Sequence, residues 1–232
     1  MINKVFTSVQ EAIANVHDGA SIMIGGFGFA GTPFNLVKGL IEKRVKGLTI
    51  ICNSFNNIMI MEDRTQVAKV IMSFPIAPTR AWIRSPLEAA VRSGEIEVEH
   101  VPQGTLVERM RTGGAGLAGF YTPTGVGTII ERGKEKREFE GREYLLERAL
   151  KADFAFIKAH RGDTRGNLVY RMAARNFNPI MAMAAGVTIA EVEEIVEPGA
   201  IDPNIVVTPG IFVQRVVKAP PVLIPFRRQT KE

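Results

Sequence analysis

Cysteine is nearly absent: Cys52 is the single one in 232 residues, so neither an intrachain disulfide nor a cysteine-based zinc framework can form. Cys52 follows Leu48-Thr49-Ile50-Ile51, which marks it as a buried small hydrophobe rather than a nucleophile. Histidine is almost as sparse. His17, His100 and His160 lie far apart without metal-ligand spacing, so they read as surface or strand-end residues and no metal site is expected. Long apolar runs are missing too. Ile22-Met23-Ile24 and the stretch from Ile180 to Ala185 fall well short of the roughly 18 residues that cross a bilayer, so no membrane span is expected. The opening Met1-Ile2-Asn3-Lys4-Val5-Phe6 lacks an apolar core followed by small residues, which argues against a secretory signal and for a cytoplasmic location.

What remains is ordinary for a globular chain. Hydrophobic residues make up 46% and charged residues 23%, which sets disordered, collagen-like and coiled-coil classes aside. The length suits one domain, assigned to residues 1–218, with a basic, proline-containing tail at 219–232 that is disordered or a contact arm. Net charge is +5, part of it from Arg227, Arg228 and Lys231 in that tail, so nucleic-acid binding is a weak expectation. A basic surface equally suits a phosphate-bearing small molecule. No internal repeat is evident.

Helical and strand periodicities alternate along the chain. Ser8 to Val16 reads as a helix, Ser21 to Ile24 as a buried strand, and Phe34 to Ile41 as a helix begun near Pro33. Leu48–Cys52, Ala68–Phe74 and Ile96–Val101 read as further strands, with a helix over Pro86–Ser93. Helices between apolar strands predict an α/β fold with a mostly parallel twisted sheet flanked by helices. Glycine and threonine concentrate from Gly104 to Gly133, which predicts a functional loop. Glu140-Gly141 reads as a hairpin turn, Asp153–Lys158 as a strand, and Asn176–Pro179 as irregular. Val187–Val196 is ambiguous between strand and helix, and Glu191-Val192-Glu193-Glu194 looks like an exposed face or edge. Met59-Ile60-Met61 and Met181-Ala182-Met183 read as core filling.

The most informative stretch runs from Asp18 to Pro33, where Gly25, Gly26, Gly28 and Gly31 fall between a buried strand and a helix. Gly26, Gly28 and Gly31 satisfy G-x-G-x-x-G by number, but no Asp or Glu stands between Thr49 and Asn53, where a dinucleotide site places its ribose-binding acid. A nicotinamide cofactor is therefore not expected. Asp18-Gly19, the apolar Ile22-Met23-Ile24, Gly25-Gly26-Phe27, Gly31 and Pro33 together resemble the signature of class I coenzyme A transferases. Val101-Pro102-Gln103-Gly104-Thr105-Leu106, Gly113-Gly114-Ala115-Gly116, Tyr121 to Thr128 and Ala174-Arg175-Asn176-Phe177-Asn178 strengthen the likeness, which runs from about Lys4 to Val217. They are similar to the A subunit of 3-oxoacid and 3-oxoadipate coenzyme A transferases.

That resemblance implies the coenzyme A transferase fold and a ping-pong transfer of coenzyme A from succinyl-CoA to acetoacetate or 3-oxoadipate. It implies no permanently bound cofactor, the acyl-CoA being a substrate. The covalent glutamate lies in the family's B subunit within a Ser-Glu-Asn-Gly run, which this chain lacks. The implied partner is that B subunit in an α2β2 assembly, with neither nucleic acid nor membrane. Gln103, at the family's Pro-Gln-Gly position, is the implied oxyanion donor. Asn53 stands where the family has Ser-Asn-Asn; here the run is Cys52-Asn53-Ser54, without the second amide. The loop Gly25, Gly26, Phe27, Gly28 and Gly31 would line the site, with Phe27 or Phe29 as an apolar wall. Other readings are one chain of an acetate or butyrate transferase, and a non-catalytic binder of coenzyme A or sugar phosphates.

Overall fold

The computed structural model describes residues 3–75, 86–220 and 222, so the basic tail beyond Val222 lies outside the described residues. Among the described residues twelve strands and five α-helices follow one another; the first half carries β1 (Val5–Phe6), α1 (Val9–Ala12), β2 (Ser21–Ile24), α2 (Phe34–Lys43), β3 (Leu48–Ser54), β4 (Val67–Phe74), α3 (Pro86–Ser93) and β5 (Glu97–His100). The second half carries α4 (Gln103–Gly114), β6 (Gly119–Thr122), β7 (Lys136–Phe139), β8 (Arg142–Arg148), β9 (Ala152–Asp163), β10 (Leu168–Val169), α5 (Asn178–Met183), β11 (Ala185–Val196) and β12 (Arg215–Lys218). The main sheet has the order β1-β12-β11-β9-β2-β3-β4-β5, every neighbouring pair parallel, with β10 antiparallel on β9. A separate antiparallel sheet, β6-β8-β7, stands beside it. The mostly parallel α/β expectation holds.

The central strands read as unbroken apolar runs because both of their faces are covered. Ile22, Ile24, Ile50, Cys52 and Phe156 face one layer with Leu36, Val37 and Leu40 of α2 and Leu87 of α3. Met23, Ile51, Ala155 and Ile157 face the other, against Leu106 and Met110 of α4 and Met181 of α5. Alternation along a strand thus deals successive side chains to two cores.

Several expected boundaries move. The first helix is one turn long, held by Ser8, whose Oγ accepts from Glu11 N at 3.1 Å, and turns follow it to Val16. Gly104–Gly133 is not one loop: α4 and β6 occupy much of it, since Leu106 and Met110 bury a helical stripe despite the glycines around them. Asn178 opens α5 rather than continuing an irregular segment, with Pro179 in the first turn, where its missing N–H does no harm. Val187–Val196 falls within the 12-residue strand β11. Glu140 (φ 50°) and Gly141 (φ 76°) make the expected hairpin turn between β7 and β8. Of the methionine runs, Met61 and Met181 are buried, while Ile60 and Met183 are at least a third exposed.

Candidate active site

Strand order reverses direction between β2 and β9. From β2 the chain winds outward through β3, β4 and β5, whereas from β9 it winds the other way through β11 and β12. Parallel α/β sheets bind ligands at the carboxyl ends of strands beside such a reversal. The glycine loop leaves β2 there, and Gly25 N donates to Phe156 O of β9 at 2.9 Å.

Two buried amides hold that loop. Asn57 Nδ2 donates to Thr32 Oγ1 at 2.9 Å and to the carbonyls of Gly25 and Gly28 at 3.3 Å, while its Oδ1 accepts from Ser54 N at 3.0 Å. Asn178 Nδ2 donates to Gly31 O at 3.0 Å and Ala174 O at 2.8 Å, and its Oδ1 accepts from Lys158 N of β9 at 3.0 Å. Each amide satisfies carbonyls that turn away from any regular ladder, and its own burial is tolerable because its donors and acceptor are matched.

The helix after the loop is capped from across the sheet. Pro33 precedes α2 and offers no side-chain cap; instead Glu191 Oε2 on β11 accepts from Asn35 N at 2.9 Å and Leu36 N at 3.2 Å, and Oε1 accepts from Asn35 Nδ2 at 2.8 Å. Glu191 is 1% exposed, with Lys158 Nζ 3.6 Å away, so the exposed-edge reading of this residue is corrected. Burial raises its carboxyl above the usual range, although the Asn35 amide and Lys158 favour the charged form. The α2 N-terminus is where a phosphate-binding glycine loop would seat its anion. Here the protein's own carboxylate fills it.

The expected amides meet. Asn53 lies near the end of β3, Gln103 opens α4, and Gln103 Nε2 donates to Asn53 Oδ1 at 2.6 Å. One proton of the Gln103 amide is thereby spent on orientation and the other is left for a ligand. Gln103 lies on a cleft of about 420 Å³ with Gly104, Thr105, Phe27, Phe120, Thr122, Thr124 and Phe177 among its walls. Phe27, expected as an apolar wall, is 51% exposed and is one of the residues lining this cleft. Phe29 turns instead toward Phe34, with ring centroids 6.4 Å apart. Gly25, Gly26 and Gly31 are buried beneath the loop, against Asn178 and Asn57, rather than on the cleft surface.

Cys52 is fully buried, and burial pushes its thiol up to about 12, which removes it as a nucleophile. Glu108, the carboxylate among the cleft residues, is held by Arg111 Nε and Nη2 at 2.8 and 2.6 Å. Sequence reasoning missed Asn57 and Glu191. The signal for Glu191 was a lone acid within Ile189-Ala190-Glu191-Val192, a run too apolar for an exposed edge. Asn57 carried none.

The coenzyme A transferase family profile matches residues 6–219. The chain belongs to the coenzyme A transferase family. The A subunit of a 3-oxoadipate CoA-transferase of Pseudomonas putida is 50% identical over 221 residues, 94% of each chain. The A subunit of a succinyl-CoA:3-ketoacid coenzyme A transferase of Helicobacter pylori is 45% identical over 221 residues, 94% of this chain and 93% of that one. Among solved structures, an acyl-CoA transferase of Escherichia coli O157:H7, determined as a thioester complex with coenzyme A, superposes with a TM-score of 0.79 at 22% identity. That match covers 94% of this chain and 50% of the other, so this transferase chain spans half the length of that protein. What the two structures share is the α/β fold described above. No helix among the described residues is long and apolar enough to cross a membrane.

Proposed function

We propose that this chain is the A subunit of a cytoplasmic transferase that moves coenzyme A from succinyl-CoA to a short 3-oxo acid, and that a B subunit supplies the covalent glutamate in an α2β2 complex. The observation that carries the reading is the Gln103–Asn53 pair at 2.6 Å beside the cleft. An uncharged amide with one free N–H can stabilise an oxyanion without competing as a base or nucleophile.

In the proposed sequence the partner's glutamate attacks the succinyl-CoA carbonyl, and the coenzyme A thiolate leaves as an acyl-glutamyl anhydride forms. The thiolate then attacks the glutamyl carbonyl, which releases succinate and leaves a glutamyl thioester. The acceptor's carboxylate attacks that thioester, and the returning thiolate takes the acceptor's acyl group, which restores the glutamate. Each step passes through a tetrahedral oxyanion, and division into such steps is what covalent catalysis supplies. Gln103 Nε2, aligned by Asn53 Oδ1, is the donor this chain offers to that charge. Gly25, Gly26, Gly28 and Gly31 shape the loop that presents Phe27 to the acyl chain.

Co-expression with a candidate Ser-Glu-Asn-Gly partner tests this. The complex is expected to form 3-oxoacyl-CoA from succinyl-CoA, each chain alone to be inert, and Gln103→Ala to lower kcat by about 10²–10³-fold without loss of assembly. A complex active with acetate or butyrate alone would move the assignment to that branch of the family. A complex that binds coenzyme A yet transfers it to no acid would leave only the binding role.

A further inference from the structure

We propose that Arg109 is a positioning residue for the transfer: by joining α4 to the small sheet β6-β8-β7, it sets the width of the cleft in which the acyl group sits. The inference rests on the transferase reading above and adds a residue that lies outside the lining of that cleft.

Two walls of the cleft come from different parts of the fold. Gln103, Gly104, Val107 and Glu108 belong to α4, whereas Phe120 and Thr122 belong to β6 of the small sheet. The helix is anchored on the main sheet by Leu106 and Met110, buried in the same core as Met23 and Ile51. Among the described residues the small sheet forms no strand pair with the main one, so its distance from α4 has to be fixed by other contacts.

Arg109 supplies such a contact. Its Nη1 donates to Glu99 Oε1 on β5 at 2.6 Å, its Nε donates to Arg148 O on β8 at 3.0 Å, and Glu147 Oε2 lies 4.0 Å from that Nε. Glu99 is in turn 3.3 Å from Lys69 Nζ on β4, and Glu147 is paired with Lys134. Charges of alternating sign thus run from the edge of the main sheet, through α4, into the small sheet. Exposed pairs of this kind add little, but the side chains of Arg109 and Glu147 are only 13% and 3% exposed, so a buried carboxylate depends on the cations beside it. Glu147 stands directly opposite Phe120 in the β6–β8 register, and Leu145 opposite Thr122, so the carboxylate and the two cleft residues share one face of the small sheet. A shift of β8 therefore moves Phe120 and Thr122. The planar guanidinium grips β5 and β8 at once in a fixed fork, which a single ammonium cannot do. Gln103 is off this path, held by Asn53 of β3. Loss of the Arg109 grip loosens the hold on the bound acid and leaves the oxyanion donor in place, a loss of uniform binding that raises KM without lowering kcat.

The test uses the reconstituted complex with succinyl-CoA as donor and acetoacetate or 3-oxoadipate, whichever is turned over, as acceptor. Arg109→Met, which keeps the apolar stem, is expected to raise KM for the acid about tenfold with kcat within about threefold of wild type. Arg109→Lys is expected to restore part of the lost affinity. Glu147→Gln is expected to raise KM in the same direction, and the double variant Arg109→Met with Glu147→Gln to be no worse than Arg109→Met alone, because both substitutions break the same grip. Arg109→Lys and Glu147→Gln carry the test if Arg109→Met fails to assemble. A lower melting temperature with KM unchanged would reduce Arg109 to a structural residue and overturn the proposal while the transferase reading stands. A fall in kcat at constant KM, or strictly additive effects on KM, would overturn it as well. If the wild-type complex transfers coenzyme A to neither acid, the transferase reading itself fails and the positioning role with it.

Discussion

Gly25→Ala is expected to disable the complex even though it adds one methyl group. A Cβ at Gly25 would lie 1.9 Å from Asn178 Oδ1 and 2.8 Å from its Cγ. Asn178 cannot swing aside, because its amide holds Gly31 O, Ala174 O and Lys158 N at once. Either the three bonds break or the loop lifts from β9. Overpacking of this kind costs about 1–3 kcal/mol, and the loss of buried hydrogen bonds adds about 1–3 kcal/mol for each group left unmet. Gly31→Ala meets the same wall: its φ is +71°, and a Cβ there would lie 2.7 Å from Ala174 O. The check is thermal unfolding together with kcat for both variants. Pairing Gly25→Ala with Asn178→Ala should be less harmful than the sum of the two, because the second substitution vacates the space the first needs. Strict additivity would show that the clash is not the cause.

Glu191→Ala is the second large effect expected, a destabilisation of about 3–5 kcal/mol read from denaturant melts, since it strips the acceptor from Asn35 N and Leu36 N and leaves Lys158 beside an empty site. Glu191→Gln keeps a carbonyl for the two amides and should be much milder. The pair also predicts a pH dependence. The folded carboxyl is raised above its ordinary value of 4.5, by burial first. A raised pKa means that ionisation is harder in the folded chain than in the unfolded one. The group's contribution to stability is therefore complete below the unfolded value and falls as pH climbs through the folded one. The stability of wild type relative to Glu191→Gln should accordingly decline as pH rises above about 4.5. A difference that widens with pH would contradict the burial account.

The parallel sheet was legible because its strands are apolar on both faces and separated by helical periods; Ile22-Met23-Ile24 and Leu48 to Cys52 are the clearest cases. Phe27, Gln103 and Asn53 were legible as a group only through the long motifs around them. Nothing in their spacing says that residues 50 positions apart touch, and the contact arises because β3 and the start of α4 meet on the same side of the sheet. Helix α4 was hidden by its glycines. Gly113 and Gly114 are small because backbone passes close by, a Cβ at Gly113 lying 2.4 Å from Leu150 O, and not because the segment is a loop. Glu191 was hidden by its charge, whose partners lie 155 or more residues away along the chain.

The proposed division of labour gives this chain the orienting and charge-stabilising role and gives its partner the covalent step. Intact-mass measurement of the complex after brief incubation with succinyl-CoA tests it most directly. The expected result is a coenzyme A thioester adduct on the partner chain, none on this one, and a slower-forming adduct on the same partner when Gln103 is replaced by Ala. An adduct on this chain, or its formation by this chain alone, would contradict it.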